Sequence, residues 1–151
     1  MNARGRRGFT LIELLVVLLI MGALLTLAPI AFQRLVPGME LKAAAREVAA
    51  VFREARGLAI RGNRETSVIV DTEARSYRLA AADRSSQLDS GLGVELTTAV
   101  SERIGESAGR IRFFPDGTST GGRVTLTRGE RKYFILVDWL SGRVRILDNA
   151  S

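Results

Sequence analysis

The chain has 151 residues and a formal net charge of +6, and three arginines among its first eight residues supply half of that charge. This length suits one domain with a modest core together with an appendage. Cysteine and histidine are both absent, which excludes thiol nucleophiles, disulfides, Cys/His zinc sites and histidine-based catalytic triads.

Residues 1–8 form a basic leader, MNARGRRG, and residues 9–32 carry one charge, that of Glu13. An apolar run of about 20 residues can cross a bilayer as a helix, and basic residues beside a first apolar helix tend to stay in the cytoplasm. A secretory signal peptide fits less well, because the run exceeds the usual h-region and lacks a clean A-x-A site. A carboxylate at bilayer depth costs about 2.5–3.5 kcal/mol, so Glu13 is expected to have a partner or a function. The alternative is a Glu13 that only snorkels to the interface.

The stretch RGFTLIELLVVLLIMG, which starts at Arg7, resembles the amino-terminal signature of type IV pilins and type II secretion pseudopilins. In that family a prepilin peptidase cuts after the glycine, here Gly8, and the new terminal residue, here Phe9, is N-methylated. The acidic residue four positions further on, here Glu13, serves assembly. The resemblance implies a cleaved leader over residues 1–8 and a transmembrane helix over residues 9–37 that becomes filament core. The amine of one subunit could then neutralise Glu13 of a neighbour.

Two prolines and an amphipathic pattern indicate how the predicted helix continues and where it ends. Pro29 is expected to kink the helix, and Pro37-Gly38 marks a break or bend. From Met39 to Arg61 apolar residues recur at spacings of three and four, which indicates a helix with one buried face. Gly62-Asn63 is expected to end it as a glycine C-cap. The stripe consists of Leu41, Ala45, Val48, Phe52, Ala55 and Ala59.

After Asn63 the apolar period changes to two, which indicates strands. The predicted strands lie near residues 66–70, 75–82, 94–96, 110–114, 124–126, 133–138 and 144–146, with turns at 71–74, 114–117, 129–130 and 141–142. Residues 82–91 and 98–109 are predicted to be loops. The strand 133–138 is apolar on both faces and is expected to be central. The predicted fold class is α+β, with a long amino-terminal helix, membrane-spanning in its first half, packed on an antiparallel sheet.

The carboxy-terminal run FFPDGTSTGGRVTL…FILVDWLSGRVRI resembles the β domain of the type II secretion minor pseudopilin H (GspH-like) family and of related minor type IV pilins. This resemblance implies a pilin-like periplasmic domain over residues 38–151 of a single-pass inner-membrane protein whose amino terminus is cytoplasmic before processing. The implied function is that of a minor pseudopilin in a short periplasmic pseudopilus that helps export folded proteins across the outer membrane. The implied partners are other major and minor pseudopilins, the prepilin peptidase/N-methyltransferase and the inner-membrane assembly platform.

Two alternatives stay open at this point. One is a minor type IV pilin acting in pilus priming or DNA uptake, and the other is a membrane-anchored periplasmic module that never polymerises. Residues 109–151 contain eight Arg or Lys against four acidic residues. Several of these arginines alternate with apolar residues and are expected to share one solvent face, where they could contact nucleic acid or simply discourage edge-to-edge aggregation. We treat nucleic acid as a less favoured partner.

No pattern in the chain indicates an enzyme or a cofactor. No nucleophile–base pair is visible, and GTSTGGRVT, from Gly117, lacks the lysine and the spacing of a phosphate-binding loop. Asp71 and Glu73 could bind calcium, but two acids in a predicted hairpin turn are more often solvated turn residues. We therefore predict no catalytic residue, no cofactor and no metal.

Overall fold

The computed structural model describes residues 10–149, except for the side chains of residues 24–38. The predicted leader 1–8 and the Gly8–Phe9 junction lie outside the described residues, as does part of the predicted span 9–37. The chain divides into two compact units, Met1–Val36 and Pro37–Ser151. Within the part of the chain that the structure describes, no helix has both the length and the apolar character needed to cross a membrane.

One α-helix, α1 (Leu11–Gly62), accounts for the first third of the chain. The helical conformation continues through Pro29 and Pro37, so the predicted break at Pro37-Gly38 does not occur in the secondary structure. The predicted kink at Pro29 and the alternative of a bend at Pro37-Gly38 stay predictions. A proline removes one intrahelical hydrogen bond, and the helix tolerates that loss here.

The carboxy-terminal end of α1 is a Schellman motif. The N–H of Arg64 donates to the carbonyl of Ala59 (3.3 Å) and the N–H of Asn63 donates to that of Ile60 (3.4 Å). The residue in the left-handed conformation is Asn63, with φ of 44°, and not Gly62. The predicted stop is therefore correct, while the predicted glycine cap is wrong by one residue, because asparagine also tolerates this conformation.

The second half of α1 supplies one side of the hydrophobic core. All six residues of the predicted stripe are buried, and Ala49 and Val51 join them. Phe52 of the helix contacts Phe113, with ring centroids 6.3 Å apart and planes tilted by 51°. Such tilted aromatic contacts add to the stability that burial alone provides.

A five-stranded antiparallel sheet packs its apolar residues into this core. It contains β1 (Thr66–Asp71), β2 (Ser76–Leu79), β3 (Arg84–Gln87), β5 (Arg103–Ile104) and β6 (Ala108–Phe113), in the order β3-β2-β1-β6-β5. Alternation along β1 buries Thr66, Val68 and Val70. A 3-10 turn, Ala80–Ala82, ends β2 earlier than predicted, and another, Val100–Glu102, precedes β5.

A second, four-stranded antiparallel sheet is formed by later residues. It contains β4 (Gly93–Thr97), β7 (Gly122–Arg128), β8 (Arg131–Val137) and β9 (Val144–Asp148), in the order β4-β7-β8-β9. The strand predicted to be central, β8, lies between β7 and β9, which confirms that prediction. Core residues from this sheet are Val124, Leu126, Ile135 and Val137.

Two expectations about the β region are wrong. Residues 82–91 contain the strand β3, whose polar residues show no apolar alternation because it is an edge strand. Residues 98–109 contain β5 and the start of β6 instead of only a loop. The strand that carries Arg110, β6, belongs to the five-stranded sheet, whereas β7 to β9 belong to the four-stranded sheet.

Candidate assembly interface

The amino-terminal end of α1 places Glu13 in the first helical turn, beside Thr10. The backbone N–H of Glu13 donates to the Thr10 carbonyl (3.1 Å) and to the Thr10 Oγ1 (3.3 Å). The Thr10 side chain therefore satisfies one of the N–H groups that a helix start leaves without an intrahelical partner. The Glu13 side chain is exposed, so its carboxylate is available to a group from outside this chain.

The helical segment after Glu13 presents large apolar side chains to its surroundings. Every large apolar side chain from Leu14 to Met21 is between 48% and 72% exposed. Monomeric soluble proteins rarely leave a contiguous apolar surface of this kind uncovered. The exposed stretch is therefore a surface on which an apolar partner outside this chain could pack.

In the Pro37–Ser151 unit, three glutamates of α1 bind groups from the β sheets. Glu54 forms an ion pair with Arg84 of β3 (2.6 Å), and Glu40 forms one with Arg128 of β7. Glu47 accepts hydrogen bonds from the Tyr77 hydroxyl and, at 3.3 Å, from Ser86 Oγ. These contacts hold one flank of the helix against both sheets.

The contact between Tyr77 and Glu47 changes the acidity of the phenol. Burial of Tyr77, followed by its hydrogen bond to the carboxylate, raises the pKa of Tyr77 to about 12. Both effects favour the neutral phenol, which can donate a hydrogen bond that a phenolate cannot. The phenol therefore serves as a helix-to-sheet link at physiological pH.

A buried carboxylate organises the arginines of β6. Glu102 is only 3% exposed, and its two oxygens accept hydrogen bonds from Arg110 Nε and Arg112 NH2, each at 2.7 Å. Arg112 also pairs with Glu65 at 3.1 Å. The hydrogen bonds to Glu65 and then Glu102 raise the pKa of Arg112 above its usual value. The guanidinium groups of both arginines are thus paired with carboxylates of the same domain.

The basic residues of the carboxy-terminal region share one solvent face only in part. Arg123 and Arg145 both lie opposite Leu136 of β8, on the outer face of the four-stranded sheet, as expected. Arg110 and Arg112 lie on the five-stranded sheet, and Arg128 binds Glu40 and Asp89. On the outer face of the four-stranded sheet, the guanidinium of Arg123 lies 5.7 Å from the centre of the Phe134 ring. The sequence shows the alternation of arginines with apolar residues, but it does not show that the chain changes sheets between Phe113 and Gly122.

Asp71, one of the two acids that the sequence analysis considered for calcium, caps a turn with its side chain. Asp71 Oδ1 accepts hydrogen bonds from the N–H groups of Glu73 (3.0 Å) and Ala74 (2.9 Å). An aspartate at the start of a turn commonly accepts such hydrogen bonds from the backbone. In the described residues no group of three or more acidic, histidine or cysteine side chains could hold a metal ion.

Two known protein families match this chain, in different regions. The family described as Type II transport protein GspH matches residues 44–142, and the Prokaryotic N-terminal methylation motif matches residues 3–29. The second match includes Gly8, Phe9 and Glu13. A curated relative, Type II secretion system protein H of Xanthomonas campestris pv. campestris, is 32% identical over 142 residues, which cover 94% of this chain and 83% of the relative.

Solved structures with a similar fold include a minor pseudopilin and a type IV minor pilin. The minor pseudopilin EpsH from the type 2 secretion system of Vibrio cholerae has a TM-score of 0.59 at 15% identity, covering 74% of this chain and 99% of that one. The type IV minor pilin FimU of Pseudomonas aeruginosa has a TM-score of 0.58 at 16% identity, covering 76% and 93%. These likenesses establish the pilin-like fold and do not separate the two systems.

Proposed function

Because the chain belongs to the GspH family of type II secretion proteins, we propose how this minor pseudopilin is processed, anchored and assembled. The observation that carries the proposal is the presence, in one chain, of the methylation motif at residues 3–29 and the GspH domain at residues 44–142. The family consists of structural pseudopilins that assemble with other pseudopilins and is not known for enzymatic activity. The family resemblance predicted from the sequence is therefore confirmed.

Processing is proposed to remove the basic leader. A prepilin peptidase cuts between Gly8 and Phe9, and the same enzyme N-methylates Phe9. Residues 1–8 are lost, so the mature chain begins next to Thr10. This cut places a positive amine about one helical turn from Glu13, whose backbone N–H bonds to Thr10.

The methylation motif and the family together imply a membrane-anchored periplasmic protein. We assign residues 9–37 to a single pass through the inner membrane, with residues 38–151 as the periplasmic domain. The exposed apolar side chains that follow Glu13 support this assignment. Each such side chain gains about 1.5–3 kcal/mol when it is fully removed from water.

Assembly is proposed to transfer the same apolar helix from lipid to the core of a short pseudopilus, with the help of the inner-membrane assembly platform. In that core a carboxylate without a partner is costly. The exposed side chain of Glu13 is positioned to accept the amine of a neighbouring subunit. The pair would specify the register between subunits, which is the best-attested use of a buried ion pair. The filament so formed helps to export folded proteins across the outer membrane.

Mass spectrometry of the chain recovered from a secreting cell tests this proposal. The expected mature chain starts at Phe9, carries one extra methyl group on its terminal nitrogen and lacks residues 1–8. A Gly8→Ala variant is the matched comparison and should retain the leader. An intact Met1 terminus in the membrane-bound wild-type chain would refute processing and would favour a module that does not polymerise.

A further inference from the structure

Hydrogen-bond donors surround a cavity of about 420 Å³ beside the five-stranded sheet, which we call the Arg64 cavity. Its lining comes from the link between α1 and β1, from the start of β1, from the 3-10 turn after β2 and from β6. Three of its polar side chains are cations and only one is an acid, so the lining is suited to an anion. These polar residues are Arg64, Glu65, Thr66, Ser67, Arg110 and Arg112.

The three arginines of the lining differ in how far the fold already uses them. Arg112 binds both Glu65 and Glu102, as described above. Arg110 binds Glu102 through its Nε, and its two terminal NH2 groups have no partner among the described residues. Arg64 is exposed and forms no ion pair within the part of the chain that the structure describes. Two carboxylates thus balance two of the arginines, and the charge of Arg64 is left over.

Two hydroxyl groups of β1 add neutral donors to the lining. Ser67 lies opposite Arg112 in the register of β1 with β6, and therefore on the same face of the sheet. Thr66 is only 6% exposed, and its Oγ1 has no hydrogen-bond partner among the residues that the structure describes. A buried hydroxyl without a partner costs free energy and is uncommon in folded proteins. A ligand in the cavity would supply the acceptor that this hydroxyl lacks.

Two small residues at the edge of the cavity leave its donors accessible. Ala80 and Ala81, in the 3-10 turn after β2, line the cavity and are exposed, so a side chain from outside the domain can enter beside them. One negative charge would neutralise the excess charge of Arg64. The anions that already bind Arg110 and Arg112 are both carboxylates, and the planar guanidinium group matches a carboxylate well. The ligand that fits the cavity is therefore a further carboxylate.

We propose that the Arg64 cavity binds the carboxylate of an Asp or Glu side chain of another pseudopilin in the filament. The carboxylate accepts hydrogen bonds from the guanidinium of Arg64, from the free NH2 groups of Arg110 and from the Thr66 hydroxyl. A neighbouring pseudopilin is the source because members of this family assemble with other pseudopilins. A nucleic acid fits less well, since its row of phosphates needs a track of cations and the cavity has one charge in excess. The inference rests on the proposed function, because it requires assembly with other subunits.

A zero-length carbodiimide cross-linker, which joins an amine directly to a carboxylate, tests the Arg64 cavity in intact filaments. Ala81→Lys places an amine at the edge of the cavity, and Ala74→Lys, at an exposed position in the turn between β1 and β2, is the matched control. Filaments from cells that express the full secretion system are cross-linked and digested, and the linked peptides are identified. The expected product, in Ala81→Lys filaments only, joins the new amine to an Asp or Glu of a different pseudopilin. Links within one chain are recognised from the sequences of the joined peptides.

Further substitutions in the Ala81→Lys chain supply the second measurement. Arg64→Gln should lower the yield of the intermolecular adduct about fivefold, which is the upper range for an exposed ion pair. Arg61→Gln removes the same charge from an exposed position of α1 outside the cavity and should leave the yield unchanged. Thr66→Val should also lower the yield about fivefold, as expected for one lost hydrogen bond. The stability of the domain should not fall in this variant, because the hydroxyl that it removes has no partner within the described residues.

Several results would overturn the inference. Filaments that contain the Ala81→Lys chain but show no intermolecular link from it, or a link only to a second copy of this chain, would refute a different pseudopilin as the partner. Equal yields in the Arg64→Gln and Arg61→Gln chains, or a yield that Thr66→Val leaves unchanged, would refute the assigned contacts. Salt-dependent binding of duplex DNA that Arg64→Gln abolishes, without any protein adduct, would assign the cavity to nucleic acid. Absence of the chain from filaments would instead refute the proposed function itself.

Discussion

Replacement of Glu102 by alanine should destabilise the β domain, because this carboxylate holds Arg110 and Arg112 together from a buried position. It makes two charge-assisted hydrogen bonds of 2.7 Å, each of which contributes about 1.5–3 kcal/mol in proteins. The side chains of the arginines are 39% and 29% exposed, so water can replace part of what they lose. We therefore expect a loss of about 2–3 kcal/mol in unfolding free energy, below the upper range for a fully buried pair.

Urea unfolding of the full chain in detergent, followed by circular dichroism, measures this effect. Glu102→Gln keeps one acceptor and the shape, and should lose about half as much stability as Glu102→Ala. The neighbouring exposed residue gives a matched control, because Glu106→Ala should change the unfolding free energy by less than about 0.5 kcal/mol. A Glu102→Ala chain as stable as the Glu106→Ala chain would refute the view that the buried carboxylate organises β6.

Two further predictions concern the hydrogen bond of Tyr77 with Glu47 and the close approach of Gly142 to Gly117. Tyr77 has a folded-state pKa of about 12, above its usual value of 10.0, so its stabilising contribution is complete below pH 10 and is lost as pH rises towards 12. The loss of unfolding free energy between about pH 10 and pH 12 should therefore be about 2 kcal/mol smaller in the Tyr77→Phe variant than in the wild-type chain. An equal loss in both chains would refute the burial of a neutral phenol. Gly142→Ala should destabilise by about 3 kcal/mol, because the new Cβ would lie 2.2 Å from the Gly117 carbonyl oxygen. Gly129→Ala has almost the same positive φ but open space, so it should cost only about 1 kcal/mol; equal thermal unfolding of both variants would contradict the clash.

The parts of the fold that follow from local periodicity could be predicted from the sequence. The stripe from Leu41 to Ala59 marked the buried face of α1, and alternation at Val68 and Val70 marked β1. The central place of β8 followed from its apolar residues on both faces. In each case the spacing of the apolar residues follows from which faces of the element are covered, so the sequence pattern indicates those faces directly.

The parts that depend on long-range pairing could not be predicted. Edge strand β3 (Arg84–Gln87) is polar because it buries little, so no hydrophobic period distinguishes it from a loop. The buried position of Glu102 depends on arginines that lie 8 and 10 residues away, in the next strand. The chain passes from the five-stranded sheet to the four-stranded sheet before Gly122, and no local sequence pattern predicts this change. Because of it, Arg110 and Arg123 lie on different sheets.

The candidate functional residues likewise include some that the sequence predicts and some contacts that it does not. The amino-terminal motif predicts roles for Gly8, Phe9 and Glu13 from the sequence alone, because the resemblance assigns each role to a particular residue at a particular spacing, and these roles stay predictions. The contacts of Glu40, Glu47 and Glu54 with the β sheets were not predicted, although the seven-residue spacing of these glutamates is visible in the sequence. Their partners come from distant strands, so the helix sequence alone does not indicate that they are bound.

The exchange of Glu13 for leucine tests the account of assembly most directly. Cells that secrete through this system would carry either the wild-type chain or Glu13→Leu, and the fraction of processed chain in sheared filaments would be measured together with its amino terminus. We predict normal cleavage after Gly8 and a loss of the variant from filaments, because its apolar helix still inserts but can no longer receive the amine of a neighbour. Incorporation and secretion at the wild-type level would contradict the account, since the carboxylate would then have no essential role.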